Sequence, residues 1–178
     1  MVEALRPYSE ALYELAKDAG KVDFYMEELK ALKDIWNENS AFSKALSHPQ
    51  ITRVQKKEWI SNLFEKNLDT LLYRYLLVLT DHDKVSDMKG IYDAYVECYR
   101  DDHNIEVVKV ESATKLSDEQ VQSIKDMLEK KLDKKVELAI SVNDELMAGI
   151  RVQTKDLVLD NTLLSRFNAM KEKLNALD

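Results

Sequence analysis

CYRDDHNIEVVKV, from Cys98 to Val110, decides the fold, because the spacing of apolar residues changes within it. Before it, apolar residues recur every three to four positions, the period of a helix lying on a core. From Ile105 the period changes to two, with the alternation imperfect at Val107-Val108. The polar run Arg100–Asn104 between them carries neither period and reads as a join. The expected architecture is mainly α: an N-terminal six-helix bundle over residues 1–104, followed by a small α+β domain over 105–178.

Working back from the join, Met88, Ile91, Tyr92, Tyr95 and Tyr99 form a helical stripe. Asp69–Thr80 is apolar nearly all round (Leu71, Leu72, Tyr75, Leu76, Val78, Leu79), as in a central helix or one lining a binding groove. Thr52 and Gln55 make a capping box before a helix expected to bury Trp59, Ile60, Leu63 and Phe64. A short helix, Ser40–Leu46, must end before His48-Pro49, since a residue preceding proline disfavours helical backbone. Val22, Tyr25, Leu29, Leu32 and Trp36 mark a longer helix. Leu5, Tyr8, Leu12, Leu15 and Ala19 mark the first, with Pro7 in its opening turn and Gly20 as its stop.

Working forward, Ile105–Val110 reads as a strand. Ser117 and Gln120 form a second capping box, before a helix turning Val121, Ile124, Leu128 and Leu132 inward. Val136, Leu138, Ile140 and Val142 alternate as a strand. Gly149–Thr154 and Leu157–Leu159 suggest a hairpin about Lys155-Asp156. Asn161-Thr162 would cap a last helix, with a heptad-like seam of Phe167, Met170, Leu174 and Leu177.

Composition narrows the function. The formal net charge is −7 and neither half is basic, so a nucleic-acid surface is not expected. The single cysteine, Cys98, has no internal disulfide partner and fits a reducing compartment. Met1–Leu15 has no signal-peptide pattern, and the densest apolar stretch, Leu71–Leu79, is far shorter than the roughly 20 residues of a membrane helix. The three glycines are separated by 70 and 59 residues, which excludes a phosphate-binding loop and a dinucleotide fingerprint. His48, His82 and His103 stand singly, with no ligand-spaced partner. Adjacent acids such as Glu27-Glu28 point apart on a helix and make no acid–base dyad. No catalytic, cofactor-binding or metal-binding residue is expected.

Four segments, in order, resemble the delta-subunit family of F-type ATP synthases, relatives of the mitochondrial oligomycin-sensitivity-conferring protein. Residues 6–16, RPYSEALYELA, resemble the family's opening helix, R/K-x-Y-A-x-A-L-F-x-L-A. His48-Pro-Gln-Ile51 with Lys56-Lys57 resembles its approach to the fourth helix. Ser112-Ala113 with Leu116–Gln120 resembles its S-A-x-x-L-S-x-x-Q turn. Leu146–Val152 with Asp156–Asp160 resembles its G-G-I/V-x-V…D-x-V-I-D hairpin. Two places depart from the pattern. Thr80-Asp-His-Asp-Lys84 stands where the family usually has Ala-Glu-Asn-Gly-Arg, and Asp160-Asn-Thr162 where it often has Asp-Gly-Ser.

The resemblance implies a non-catalytic stator subunit at the cytoplasmic face of the cell membrane, held there only through the complex. It implies that the bundle grips the N-terminal helix of an alpha subunit in a groove between its first and fifth helices. Carried onto this chain, that groove comprises Tyr8, Ala11, Leu12, Leu15, Tyr25, Tyr75, Val78 and Leu79. It also implies that the second domain meets the C-terminal helices of the b-subunit stalk, where the seam Phe167, Met170, Leu174 and Leu177 is the candidate surface. The groove residues serve equally well as bundle core, and packing on its own domain is the favoured reading of the seam. Without the resemblance, the alternatives are a free-standing helical adaptor that binds amphipathic peptides, or an enzyme with an unrecognised site.

Overall fold

A computed structural model describes residues 4–144, 146, 149–154 and, as backbone, 158–160. The chain divides into two compact units, Met1–Tyr99 and Arg100–Asp178. Among the described residues there are seven helices and one small sheet, and the molecule is mainly helical.

Six helices precede the first strand: α1 (Arg6–Asp18), α2 (Val22–Glu38), α3 (Ser40–Ser47), α4 (Arg53–Phe64), α5 (Thr70–Asp81) and α6 (Met88–Asp102). Their ends follow local chemistry. Pro7 lies in the first turn of α1. Gly20 takes φ +64°, and the pair Gly20 N→Lys17 O (3.0 Å) and Lys21 N→Ala16 O (2.9 Å) closes the last turn, a conformation glycine adopts without steric cost. His48 is extended ahead of Pro49. Thr52 and Gln55 exchange both capping-box bonds. All six helices feed one apolar core containing Leu12, Tyr25, Trp36, Leu46, Ile60, Leu76 and Tyr95. Gly90 lets α6 approach closely, because a Cβ there would lie 2.5 Å from Leu5 Cδ1.

The structure turns two stripes away from the expected ones. In α1 the buried residues are Ser9, Leu12, Tyr13 and Ala16, while Leu15 is 51% exposed and Ala19 is also outside. In α4 the inward line is Lys56, Ile60 and Phe64, leaving Trp59 and Leu63 on the surface. The cause in α4 is the i, i+4 repeat. Ile60 and Phe64 share a face with Lys56, so the inward line begins with a lysine.

Lys56 is only 4% exposed, and its ammonium lies 3.4 Å from Asp83 Oδ1. Arg53 clasps Asp83 Oδ2 through Nε (3.2 Å) and Nη2 (2.7 Å). These charges hold the Asp83 carboxyl below its usual range, the Arg53 hydrogen bond foremost. Asp83 stands where the resembled pattern has glycine, and it too is left-handed, at φ +56°. Its carboxylate ties the turn after α5 to the start of α4, which offsets part of the cost of that conformation. At the join, α6 continues through Asp102, so three residues of the polar run are helical and the turn is His103-Asn104, with Asn104 at φ +53°.

The second unit is a βαβ arrangement followed by a hairpin. Strand β1 (Ile105–Ser112) leads through α7 (Asp118–Leu132) to β2 (Lys135–Val142), then β3 (Ile150–Gln153) and β4 (Val158–Asp160). The order is β2-β1-β3-β4, with β1 parallel to β2 and antiparallel to β3. Register places Val108 beside Leu138, and Val110 beside Ile140 and Val152, all on the face packed by Leu128 of α7. The other face is charged, where Arg151 meets Glu111 across paired strands (3.3 Å) and Arg100 meets Glu137 (2.7 Å). Of the β2 residues expected inside, Val136 is buried but Ile140 and Val142 are exposed. Helix α7 reaches the Val136 end, where Glu129 Oε1 accepts from Val136 N (3.1 Å). The turn Lys155-Asp156, the cap Asn161-Thr162 and the seam Phe167, Met170, Leu174 and Leu177 lie outside the described residues.

Candidate functional site: a groove between α1 and α5

The outward face of α1 and one side of α5 enclose an apolar groove of about 710 Å³. From α1 it takes Pro7, Tyr8, Ala11, Leu12 and Leu15. From α5 and its cap it takes Asp69, Thr70, Leu71, Arg74, Tyr75 and Val78. The two helices run antiparallel, since the ring of Tyr8, early in α1, lies 5.5 Å from that of His82 just beyond α5.

The rotation of the α1 stripe builds this groove. With Ser9, Leu12, Tyr13 and Ala16 inward, Tyr8, Ala11 and Leu15 are left on the adjoining strip. On α5, Leu72, Leu76, Leu79 and Thr80 take the core, and Leu71, Tyr75 and Val78 face sideways. Val78 is 46% exposed. A helix apolar on more than its core side leaves a second apolar face for something else to cover.

Six of the eight residues expected in the groove line it: Tyr8, Ala11, Leu12, Leu15, Tyr75 and Val78. Leu79 does not, because it lies on the buried side of α5. Tyr25 does not either. It is 2% exposed in the core, and its hydroxyl donates to Asp69 Oδ1 (2.8 Å). It acts on the groove indirectly, by fixing the carboxylate that also caps α5 through Leu71 N (2.9 Å). Burial, then this bond and the Asp69 charge, push the Tyr25 phenol up to about 12. The same bond, more than any other contact, lowers the Asp69 carboxyl. Pro7, Asp69, Thr70, Leu71 and Arg74 are the residues sequence reasoning missed. The i, i+3, i+4 spacing of Leu71, Arg74, Tyr75 and Val78 was the signal available for two of them.

Tyr75 has its ring in the groove wall and its hydroxyl in the interior. Its Oη has no hydrogen-bond partner within bonding geometry among the described residues; the Ser9 hydroxyl beside it donates to Ile91 O (3.0 Å). Burial accordingly pushes the Tyr75 phenol far up, and it stays neutral. An unpaired buried hydroxyl costs about 1–3 kcal/mol. Tyr75→Phe is therefore expected to raise stability by about 1 kcal/mol, read as a higher urea midpoint at unchanged slope. A loss of stability would reveal a partner for the hydroxyl.

A second concavity, of about 480 Å³, is lined by Arg53, Lys56 and Asp83 among others. Its charges are already paired with each other. Among the described residues no group of three His, Cys, Asp or Glu side chains is placed to hold a metal ion, and no helix is long and apolar enough to cross a membrane.

Comparison with known proteins gives the family. The family described as ATP synthase delta (OSCP) subunit matches residues 4–174. The chain is similar to the ATP synthase subunit delta of Clostridium perfringens, 30% identical over 94% of this chain and 93% of that one. It is also similar to those of Clostridium kluyveri and Lachnoclostridium phytofermentans, each 29% identical over more than nine-tenths of both chains. Its fold is that of a chain in the Toxoplasma gondii mitochondrial ATP synthase hexamer, with a TM-score of 0.66, 18% identity and 96% of both chains covered. The chain belongs to the ATP synthase delta (OSCP) subunit family, a structural and non-catalytic part of the ATP synthase.

Proposed function

We propose that this subunit is a stator link, holding the catalytic head to the peripheral stalk at the cytoplasmic face of the cell membrane so that the head stays still while the rotor turns. In this reading residues 1–104 form a six-helix bundle that binds the N-terminal helix of an alpha subunit. Residues 105–178 meet the C-terminal helices of the b subunit, and the membrane is approached only through the complex. The observation that carries the head-binding half is the apolar groove between α1 and α5. An amphipathic helix laid there would cover Leu15 and Val78, which are otherwise exposed.

The two halves are tested together by bridging. Purified heads and the soluble part of the b subunit should sediment together only when this chain is added. Heads whose alpha subunits lack their N-terminal segment should leave b behind. Equal bridging by intact and truncated heads would overturn the groove assignment.

A further inference from the structure

We infer that the helix held by the α1–α5 groove carries a carboxylate that pairs with Arg74, and that this contact sets the register in which the helix lies. The inference rests on the groove reading above and adds the chemistry of the occupant. Only two lining residues, Asp69 and Arg74, are charged. The Asp69 carboxylate is already engaged by Tyr25 Oη (2.8 Å), Leu71 N (2.9 Å) and Lys21 Nζ (3.8 Å). The Arg74 side chain is exposed and makes no hydrogen bond or ion pair among the described residues.

Its own helix offers it no carboxylate within one turn. The positions one turn away are Thr70, Leu71, Leu77 and Val78, and the facing wall is Pro7, Tyr8, Ala11, Leu12 and Leu15. A guanidinium with five donors thus stands at the lip of an apolar trough. A helix seated on Leu15 and Val78 shields that lip from water. An apolar residue opposite Arg74 would remove hydration and return nothing, and a lysine there would repel. A Glu or Asp gains a charge-assisted, two-point contact whose geometry fixes position along the groove. Because the protein is acidic overall, at −7, a carboxylate on the partner is disfavoured everywhere except beside such a cation. The charge therefore selects register more than it adds affinity.

The test is titration calorimetry of the full chain with a synthetic peptide copying the N-terminal segment of the alpha subunit from the same organism. Companion peptides each have one Asp or Glu changed to its amide. Against the parent peptide, R74Q should bind about threefold more weakly and R74E about tenfold. One amide peptide should lose as much with the parent protein, and show no further loss with R74Q. Added salt should weaken the parent more than R74Q. Should R74E fail to fold by circular dichroism, the uncharged R74Q decides. If the parent binds the peptide while R74Q binds equally well and no carboxylate couples to position 74, the inference falls and the groove reading stands. If the parent does not bind the peptide, both fall.

Discussion

Val78→Asp is expected to weaken binding of the alpha-subunit N-terminal peptide by about tenfold or more, with the helical content of the free protein unchanged. Val78 is nearly half exposed, so a carboxylate there is hydrated before binding. Seating an apolar helix over it buries an uncompensated charge, which costs at least the roughly 1.4 kcal/mol of one decade. Tyr8→Ala should lose about as much as a typical interface hot spot, roughly 2 kcal/mol, because it removes one wall of the groove. Glu14→Gln, on the same helix but outside the groove lining, should bind like the parent. Calorimetry with circular dichroism as the folding control separates these results. If both groove variants fold and bind at parental affinity, the peptide sits elsewhere.

Trp36→Ala should destabilise the first unit by about 3–5 kcal/mol, a large share of a domain's roughly 5–15 kcal/mol. The indole stacks on Phe64 (5.5 Å between centroids), meets Phe42 edge-on (5.3 Å), and donates from Nε1 to Val85 O (2.8 Å). Its removal leaves a cavity and an orphaned buried carbonyl together. Trp59→Ala, at a surface position on α4, should cost less than about 1 kcal/mol. Urea unfolding followed by circular dichroism reads both, since far-ultraviolet signal does not depend on either indole's fluorescence. Equal losses would mean that α4 is turned the other way.

These two tryptophans show what was legible in the sequence. Helix starts and stops were, because they are set by residues within a turn: Thr52 with Gln55, Ser117 with Gln120, Gly20, and His48 before Pro49. Which face of a helix goes inside was legible where one stripe dominated, as in α2 with Tyr25, Leu29, Leu32 and Trp36, although Phe24 and Ile35 lie outside that stripe. Where apolar residues cover more than one face, spacing admits several stripes and packing decides. Hence Leu15 and Leu63 fall outside while Ser9 and Lys56 fall inside. The groove was partly legible for the same reason. The surplus apolar residues of α1 and α5 announced a second surface, but sequence could not show that Tyr25 is spent on Asp69. Arg74 shared the spacing of Leu71, Tyr75 and Val78, but that its guanidinium is unpaired among the described residues was not readable from sequence.

Helix α6 has a consequence for synthesis. Three distant ties reach it or the segment just before it: Ser9 Oγ to Ile91 O (3.0 Å), Trp36 Nε1 to Val85 O (2.8 Å) and Tyr95 Oη to Val22 O (3.1 Å). The last helix of the first unit thus satisfies polar groups of the earliest ones. On the ribosome, the Ser9 hydroxyl and the Tyr13 ring of α1 must wait for their partners until Ile91–Tyr95 has emerged. At about 5–20 residues per second, that delay is several seconds for α1. By then β1 has not yet emerged, so the helical core can close before any unpaired strand edge is outside the ribosome to interfere with it.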